Sequence, residues 1–289
     1  MHEFQVNKSD FTQAKLVDTN LSPDGPLEDG EIIVKIDNFA LTANNITYAV
    51  LGEQLNYWQF FPANENTNNT WGIIPVWGFA HVVSSNNEAI PAGEKLFGYF
   101  PPAKYLKMNA THISSQRIID GSSHRATLPP GYNVYRRVAN ELGYDSRFDR
   151  QRMLLFPLHI TSYCLWDYLQ DKNWFDAEQL VIVSASSKTS IGLSYALNED
   201  KNAPKVIGMT SEKNIDFVKG LNSYHQVVSY NDINSIDPNL NTVIVDMAGN
   251  ANQLKAIEKH LTKKLKYCIQ VGLTHWDEAK TELPLVDTP

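Results

Sequence analysis

The 289-residue chain carries a formal net charge of −7, which argues against nucleic acid or an anionic membrane surface as its partner. Two cysteines in so long a chain, Cys164 and Cys268, exclude a disulfide scaffold. At 43% hydrophobic residues it can bury ordinary cores, yet no apolar run reaches the length of a membrane span.

The length suits two domains. Residues 1–100 read as strands and turns. A Pro/Gly/acid turn (Ser22 to Gly30) leads into a strand at Glu31–Ala40, and residues 64–69 are a polar loop. Trp71 to Val83 is apolar and aromatic with glycines placed as for bends, and Pro91 to Phe100 is a turn feeding another strand. Many short strands with glycine corners predict a small barrel, which Ala103 to Met108 extends. Residues 109–150 read as irregular and charged, with Leu128-Pro-Pro-Gly131 as a break. The domain boundary is therefore set at 150/151.

From Met153 the texture changes, and a helix is expected after Pro157, through Thr161 to Leu169. Strands then alternate with helices: strands at Leu180–Val183, Lys205–Met209, Gln226–Val228, Thr242–Asp246 and Tyr267–Val271, helices at about Ile191–Asn198, Ser211–Lys219 and Gln253–Leu261. That order predicts a parallel, doubly wound sheet over residues 151–289. Its first unit is the most informative stretch. A buried apolar strand, a turn of small residues and a helix start favour a phosphate through free N–H groups and the helix dipole. Ser186, Thr189 and Gly192 fall at the three glycine positions of a G-x-x-G-x-x-G pattern, with Lys188 inside the turn. An ordinary strand–helix turn is the alternative, and the missing glycines of G-x-x-x-x-G-K-[ST] speak against an NTPase.

These segments together resemble the medium-chain dehydrogenase/reductases, on their zinc-independent, quinone-oxidoreductase-like side and in an uncharacterised branch. Glu31 to Ile36 looks like the family's early strand. Ala43-Asn44-Asn45-Ile46-Thr47 looks like its G-x-N-x-x-D turn, with Thr47 near the usual Asp. Pro75 to Val83 resembles its P-x-x-x-G-x-E-x-x-G segment, and Glu94 to Gly98 its G-D-R-V-x-G strand. The stretches Val181 to Gly192, Val206 to Gly208 and Val243 to Gly249 follow its cofactor domain in order. The resemblance implies a GroES-like β-barrel, then a Rossmann sheet, with the active site in the cleft between them. It also implies NADP as cofactor and a small-molecule substrate. The zinc-dependent members need sets of Cys, His and carboxylate that two distant cysteines do not supply, so no metal is expected.

Cofactor residues follow by position. A Rossmann sheet that keeps NAD carries an acid at the end of its second strand. Here that strand ends in Thr210, Ser211, Glu212 and Lys213, so Ser211 and Lys213 suit a 2′-phosphate, with Lys188 also in reach of phosphate. Asp246 and Gly249 resemble the turn beside the nicotinamide ribose; Asp246 as N-cap of the next helix is an equal alternative. Gly272 closes the fifth strand beside the nicotinamide. For proton transfer the resemblance points to Asn44 and to Tyr48 just past the turn, ahead of Tyr57, His81 and Tyr163. His81 reads better as a structural histidine, and Arg136 and Arg137 as solvated rather than anion-binding. Trp58, Phe60, Phe61, Trp71 and Trp77 read as barrel core.

The expected activity is an NADPH-dependent, metal-independent reduction of a small carbonyl, enone or quinone in the cytoplasm, where both thiols stay reduced and buried; Met1-His2-Glu3-Phe4 has no basic-then-apolar signal pattern. The competing expectation is a degenerate nucleotide- or ligand-binding protein without redox activity, favoured by the depleted glycines. The sequence stops at Pro289, where the family continues with a further helix and strand. A shortened sheet with an open edge is therefore expected, which a second copy could cover as a homodimer.

Overall fold

The computed structural model describes residues 2–247 and 249–272. The chain divides into two compact units, Met1–Leu154 and Leu155 onward. The first contains β1 (His2–Asn7), β2 (Asp10–Asp18), β3 (Glu31–Ala40), α1 (Asn44–Val50), β4 (Trp71–Gly72) and β5 (Val76–Ser85). It continues through β6 (Lys95–Phe100), β7 (Tyr105–Thr111), β8 (Arg117–Asp120) and β9 (Val134–Arg137). The strands β3-β5-β6-β9-β8-β7 close into a barrel, and β2-β1-β4 form a separate three-stranded sheet. Closure follows from alternation: Ile32, Val34 and Ile36 of β3 turn into the same core as Val76, Leu96, Phe100, Met108, Ile118 and Tyr135. Each such side chain contributes about 1.5–3 kcal/mol by leaving water.

Two expectations for this unit change. Residues 109–150 are not irregular throughout: β8 and β9 complete the barrel there. Each is only four residues long, with Ile118 buried beside an exposed Arg117 and Tyr135 beside an exposed Arg136. Two alternations are too few for the pattern to stand out. The helix expected after Pro157 is α2 (Asp149–Asp171), which begins eight residues earlier and contains the proline. A proline inside a helix costs about 3 kcal/mol. The first turns are anchored nonetheless: Lys95 Nζ donates to Asp149 Oδ2 at 2.5 Å, and Arg152 Nη2 to Glu141 Oε1 at 2.9 Å.

The second unit holds β10 (Gln179–Val183), α3 (Lys188–Glu199), β11 (Lys205–Thr210), α4 (Ile215–Gly220), β12 (Gln226–Ser229), β13 (Thr242–Asp246), α5 (Ala251–Leu261) and β14 (Leu265–Gln270). Its sheet is parallel throughout, in the order β12-β11-β10-β13-β14. The apolar run of β10 serves both faces. Leu180 and Ile182 pack with Leu165 and Leu169 of α2 and Leu193 and Leu197 of α3, whereas Val181 and Val183 pack with Leu254, Ile257 and Leu261 of α5. This is the doubly wound parallel sheet the alternation predicts. The helix α3 buries Ser190, Leu193, Ser194 and Leu197. Cys164 is exposed on α2, contrary to expectation; Cys268 is buried, and desolvation pushes its thiol up to about 12. Among the described residues no helix is long and apolar enough to cross a membrane.

Candidate functional site

The strand order runs third, second, first, fourth, fifth, so the chain reverses direction across the sheet between β10 and β13. Open α/β sheets bind ligands at that point, beyond the carboxyl ends of the strands. The turn from β10 to α3 lies there and is built from serines. Ser184 takes a left-handed conformation (φ 64°) at a cost of about 1–3 kcal/mol, which surrounding bonds must offset. Ser190 Oγ donates to the Ser184 carbonyl at 2.8 Å, and Ser184 Oγ meets Tyr230 Oη at 3.2 Å. Ser187 is the N-cap of α3, accepting from Ser190 N at 3.2 Å. From below, Tyr224 Oη donates to the Ala185 carbonyl at 2.9 Å. Ser186 Oγ accepts from Thr210 Oγ1 at the end of β11 at 3.4 Å and from Asn214 Nδ2 in the turn before α4 at 3.1 Å.

The cofactor candidates fall into distinct surroundings. Lys188 opens α3 and is exposed, so helix dipole and ammonium act in the same direction at one spot. The carbonyl of Thr189 accepts from Ser162 Oγ at 2.8 Å, and Gly192 faces that same serine. A Cβ at Gly192 would stand 2.6 Å from Ser162 Oγ, so glycine is needed there for α3 to approach α2 closely. Ser211 is half-buried and Lys213 exposed. Glu212 accepts from Asn231 Nδ2 at 2.9 Å, whereas Thr210 is buried under the turn. Asp246 is fully buried, and its Oδ2 accepts from the N–H of Gly249 at 2.9 Å. The N-cap of α5 is Asn250, which accepts from Gln253 N, so the capping alternative for Asp246 does not hold. Gly272 is half-buried at the end of the described residues. Residues 273–289, where the shortened edge was expected, lie outside them.

The barrel unit brings Asn44 and Tyr48 together one turn apart on α1. Tyr48 is 5% exposed and its Oη accepts from Trp77 Nε1 at 3.2 Å. Burial raises the Tyr48 pKa above the ordinary phenol value, against hydrogen bonds from Trp77 and Asn44 that lower it. Tyr48 belongs to an aromatic cluster that sequence reasoning missed in large part. Its ring lies 4.8 Å from Tyr57, 5.6 Å from Tyr99 and 6.5 Å from Tyr132. Phe60 and Trp77 close the cluster against Tyr99, at 5.5 and 5.3 Å. These residues are scattered over 85 positions of sequence, and only the barrel assembles them.

Other candidates take structural places. His81 Nδ1 pairs with Asp37 on the neighbouring strand, and Tyr163 is exposed on α2. Arg137 is clamped by Glu94 and donates to the Ala89 and Ser114 carbonyls, which removes it from the anion-binding candidates; Arg136 pairs with Glu141 at 3.5 Å. Trp58, Phe60, Phe61 and Trp77 are buried as expected, whereas Trp71 is half-buried on β4, outside the barrel. Among the described residues no three His, Cys, Asp or Glu side chains gather as a metal set.

The cluster makes an alkaline prediction. Desolvation raises the pKa of Tyr48, Tyr57, Tyr99, Tyr132 and Tyr135 in the folded state. An unfolded phenol ionises near pH 10. Stability is therefore fully present below about pH 10 and falls as the pH rises above it, because only the unfolded chain ionises readily there. Tyrosinate absorbance should rise in two stages, the second coinciding with loss of structure by circular dichroism; a single unbroken titration near pH 10 would refute this.

A closed barrel and a doubly wound parallel sheet in one chain recur in known structures. CurA from Vibrio vulnificus in complex with NADPH superposes with a TM-score of 0.57 at 12% identity, over 100% of this chain and 76% of that one. The CurK enoyl reductase gives 0.53 at 10% identity, over 97% and 83%. Glucose dehydrogenase from Haloferax mediterranei gives 0.51 at 11% identity, over 96% and 87%. Residues 39–285 match the family described as "Protein of unknown function (DUF2855)", and the chain belongs to that family. A search of curated protein sequences returns no match.

Proposed function

We propose that the protein is a metal-independent oxidoreductase that uses NADPH to reduce a small carbonyl, enone or quinone. The observation that carries this reading is the Ser184–Lys188 turn at the reversal point of the β12-β11-β10-β13-β14 sheet, with the N-terminus of a twelve-residue helix beside it. The relatives in fold include an enoyl reductase and a protein crystallised with NADPH, which supports it. In this reading Ser186, Lys188, Thr189 and Gly192 hold the pyrophosphate, Gly192 by letting α3 approach closely. Ser211 and Lys213 receive the 2′-phosphate, Asp246 borders the nicotinamide ribose, and Gly272 lies beside the nicotinamide. The bound nicotinamide would supply the hydride. Tyr48 stays protonated at neutral pH, so its phenol can hydrogen-bond a carbonyl oxygen and deliver a proton, while Asn44 orients it.

A Lys213→Ala variant should bind NADPH about ten- to a hundredfold more weakly and NADH almost as before, since one charge-assisted phosphate contact of roughly 1.5–3 kcal/mol is lost. Fluorescence titration with both nucleotides tests it; equal losses for the two would remove Lys213 from the 2′-phosphate. A nucleotide-binding protein without redox activity is the second reading. It is favoured by the serines of the turn, which satisfy one another where glycines would leave backbone open. NADPH consumption with a panel of enones and quinones separates the two.

A further inference from the structure

The phenol of Tyr99 is an unexplained group of the barrel. Tyr99 is fully buried, and its Oη has no hydrogen-bond partner among the described residues. Its neighbours are spoken for in part: Tyr57 Oη meets Tyr132 Oη at 3.1 Å, and Tyr48 Oη accepts from Trp77. The ionisation of Tyr99 is opposed by burial first, then by Tyr48, Tyr132 and Tyr57, so the four hydroxyls lie within electrostatic reach of one another. Native proteins rarely leave a buried hydroxyl unpaired, and where they do the group calls for an explanation. Solvent borders the cluster at Tyr57 and Tyr132, both half-buried, and the Tyr132 ring packs against Tyr99, tilted by 41° with centroids 4.7 Å apart.

We propose that Tyr99 is the buried hydrogen-bond donor of a ligand site in the barrel, for an uncharged molecule that carries an oxygen acceptor on a flat ring. The walls choose the ring. Tyr48, Phe60, Trp77 and Tyr132 offer faces and edges in tilted and T-shaped contacts that a planar ring can extend. The cluster also chooses neutrality. Among the described residues only tyrosines act electrostatically on Tyr99, and the buried Arg125 beside Phe61 is already paired with Asp120, so a carboxylate or ammonium brought among these rings would lose its hydration without a free counter-charge. Tyr132, latched to Tyr57, is the ring that must swing for the ligand oxygen to reach Tyr99. Tyr99 thus sets specificity, and a site built this way rejects an analogue that lacks the oxygen. This deepens the reading of Tyr48 as a carbonyl-polarising residue and rests on it, since both phenols address one ligand.

Binding without nucleotide tests the proposal separately from the redox reading. Acetophenone, ethylbenzene and benzoate are titrated by calorimetry against wild type and Tyr99→Phe. Wild type should bind acetophenone at least tenfold tighter than either of the others. Tyr99→Phe should lose that preference while melting at the same temperature as wild type or higher, because it removes an unpaired buried hydroxyl. Tyr132→Phe, which opens the latch and keeps the ring, should bind acetophenone no more weakly than wild type. Equal binding of acetophenone by wild type and Tyr99→Phe, tighter binding of benzoate, or a Tyr99→Phe protein that melts well below wild type would each overturn the assignment. Failure of NADPH to bind would remove the redox reading and leave this outcome untouched.

Discussion

Replacing Arg125 by alanine should destabilise the barrel unit by about 3–5 kcal/mol, the usual consequence of breaking a buried ion pair from one side. Arg125 and Asp120 are both fully buried and paired with each other. Asp120 closes β8, and its Oδ1 also accepts from Ser122 N at 2.9 Å, Ser122 Oγ at 2.6 Å and Asn109 N at 3.1 Å. The guanidinium does more than neutralise it. Arg125 Nη1 donates to Tyr135 Oη at 3.0 Å, the guanidinium carbon lies 4.9 Å over the Phe61 ring, and Tyr135 Oη in turn donates to the Tyr99 carbonyl at 2.5 Å. The alanine variant leaves a carboxylate in the core without its cation and unties the loop from β6. Removing both charges, as Asp120→Asn with Arg125→Leu, should recover a large part of the loss, since the uncompensated charge is the chief cost. Equilibrium denaturation measures both; a loss under about 1 kcal/mol for Arg125→Ala would mean that the pair is solvated.

Under the proposed chemistry a Tyr48→Phe variant should lower kcat by roughly two to four orders of magnitude, the range a positioned general acid supplies. The phenol is the part removed; the ring contacts with Tyr57, Tyr99 and Tyr132 remain. NADPH affinity should stay within about twofold, because Tyr48 lies on α1 and the proposed nucleotide turn follows β10. A primary isotope effect with deuterated NADPH should appear or grow as the chemical step becomes limiting. Undiminished turnover in Tyr48→Phe would pass the proton role to another group, with Tyr57 the next candidate.

The sheet was legible in the sequence because a parallel strand buried on both faces reads as an unbroken apolar run. Leu180 to Val183 and Val243 to Val245 are such runs, and Thr242–Asp246 is the observed strand residue for residue. The barrel was legible only up to β7, since strands of four residues carry two side chains inward and leave no pattern to count. The start of α2 was hidden by Pro157, a breaker ahead of which Asp149 pairs with the distant Lys95 and Arg152 with Glu141. Of the candidate site, the position of the turn followed from strand, small residues and helix start, and Ser187 with Ser190 carries the three-residue spacing of an N-cap. Asn214, Tyr224 and Tyr230 carry no such signal. They reach the turn across neighbouring strands, as Tyr99 and Tyr132 reach Tyr48 across the barrel.

The most direct measurement is titration of the purified protein with NADPH and, in parallel, NADH, followed by nicotinamide fluorescence and by thermal unfolding. The account predicts saturable NADPH binding, at least tenfold tighter than NADH. It also predicts stabilisation of about 2.7 kcal/mol at a hundredfold excess of nucleotide over its dissociation constant. Absence of both signals at millimolar NADPH would contradict it.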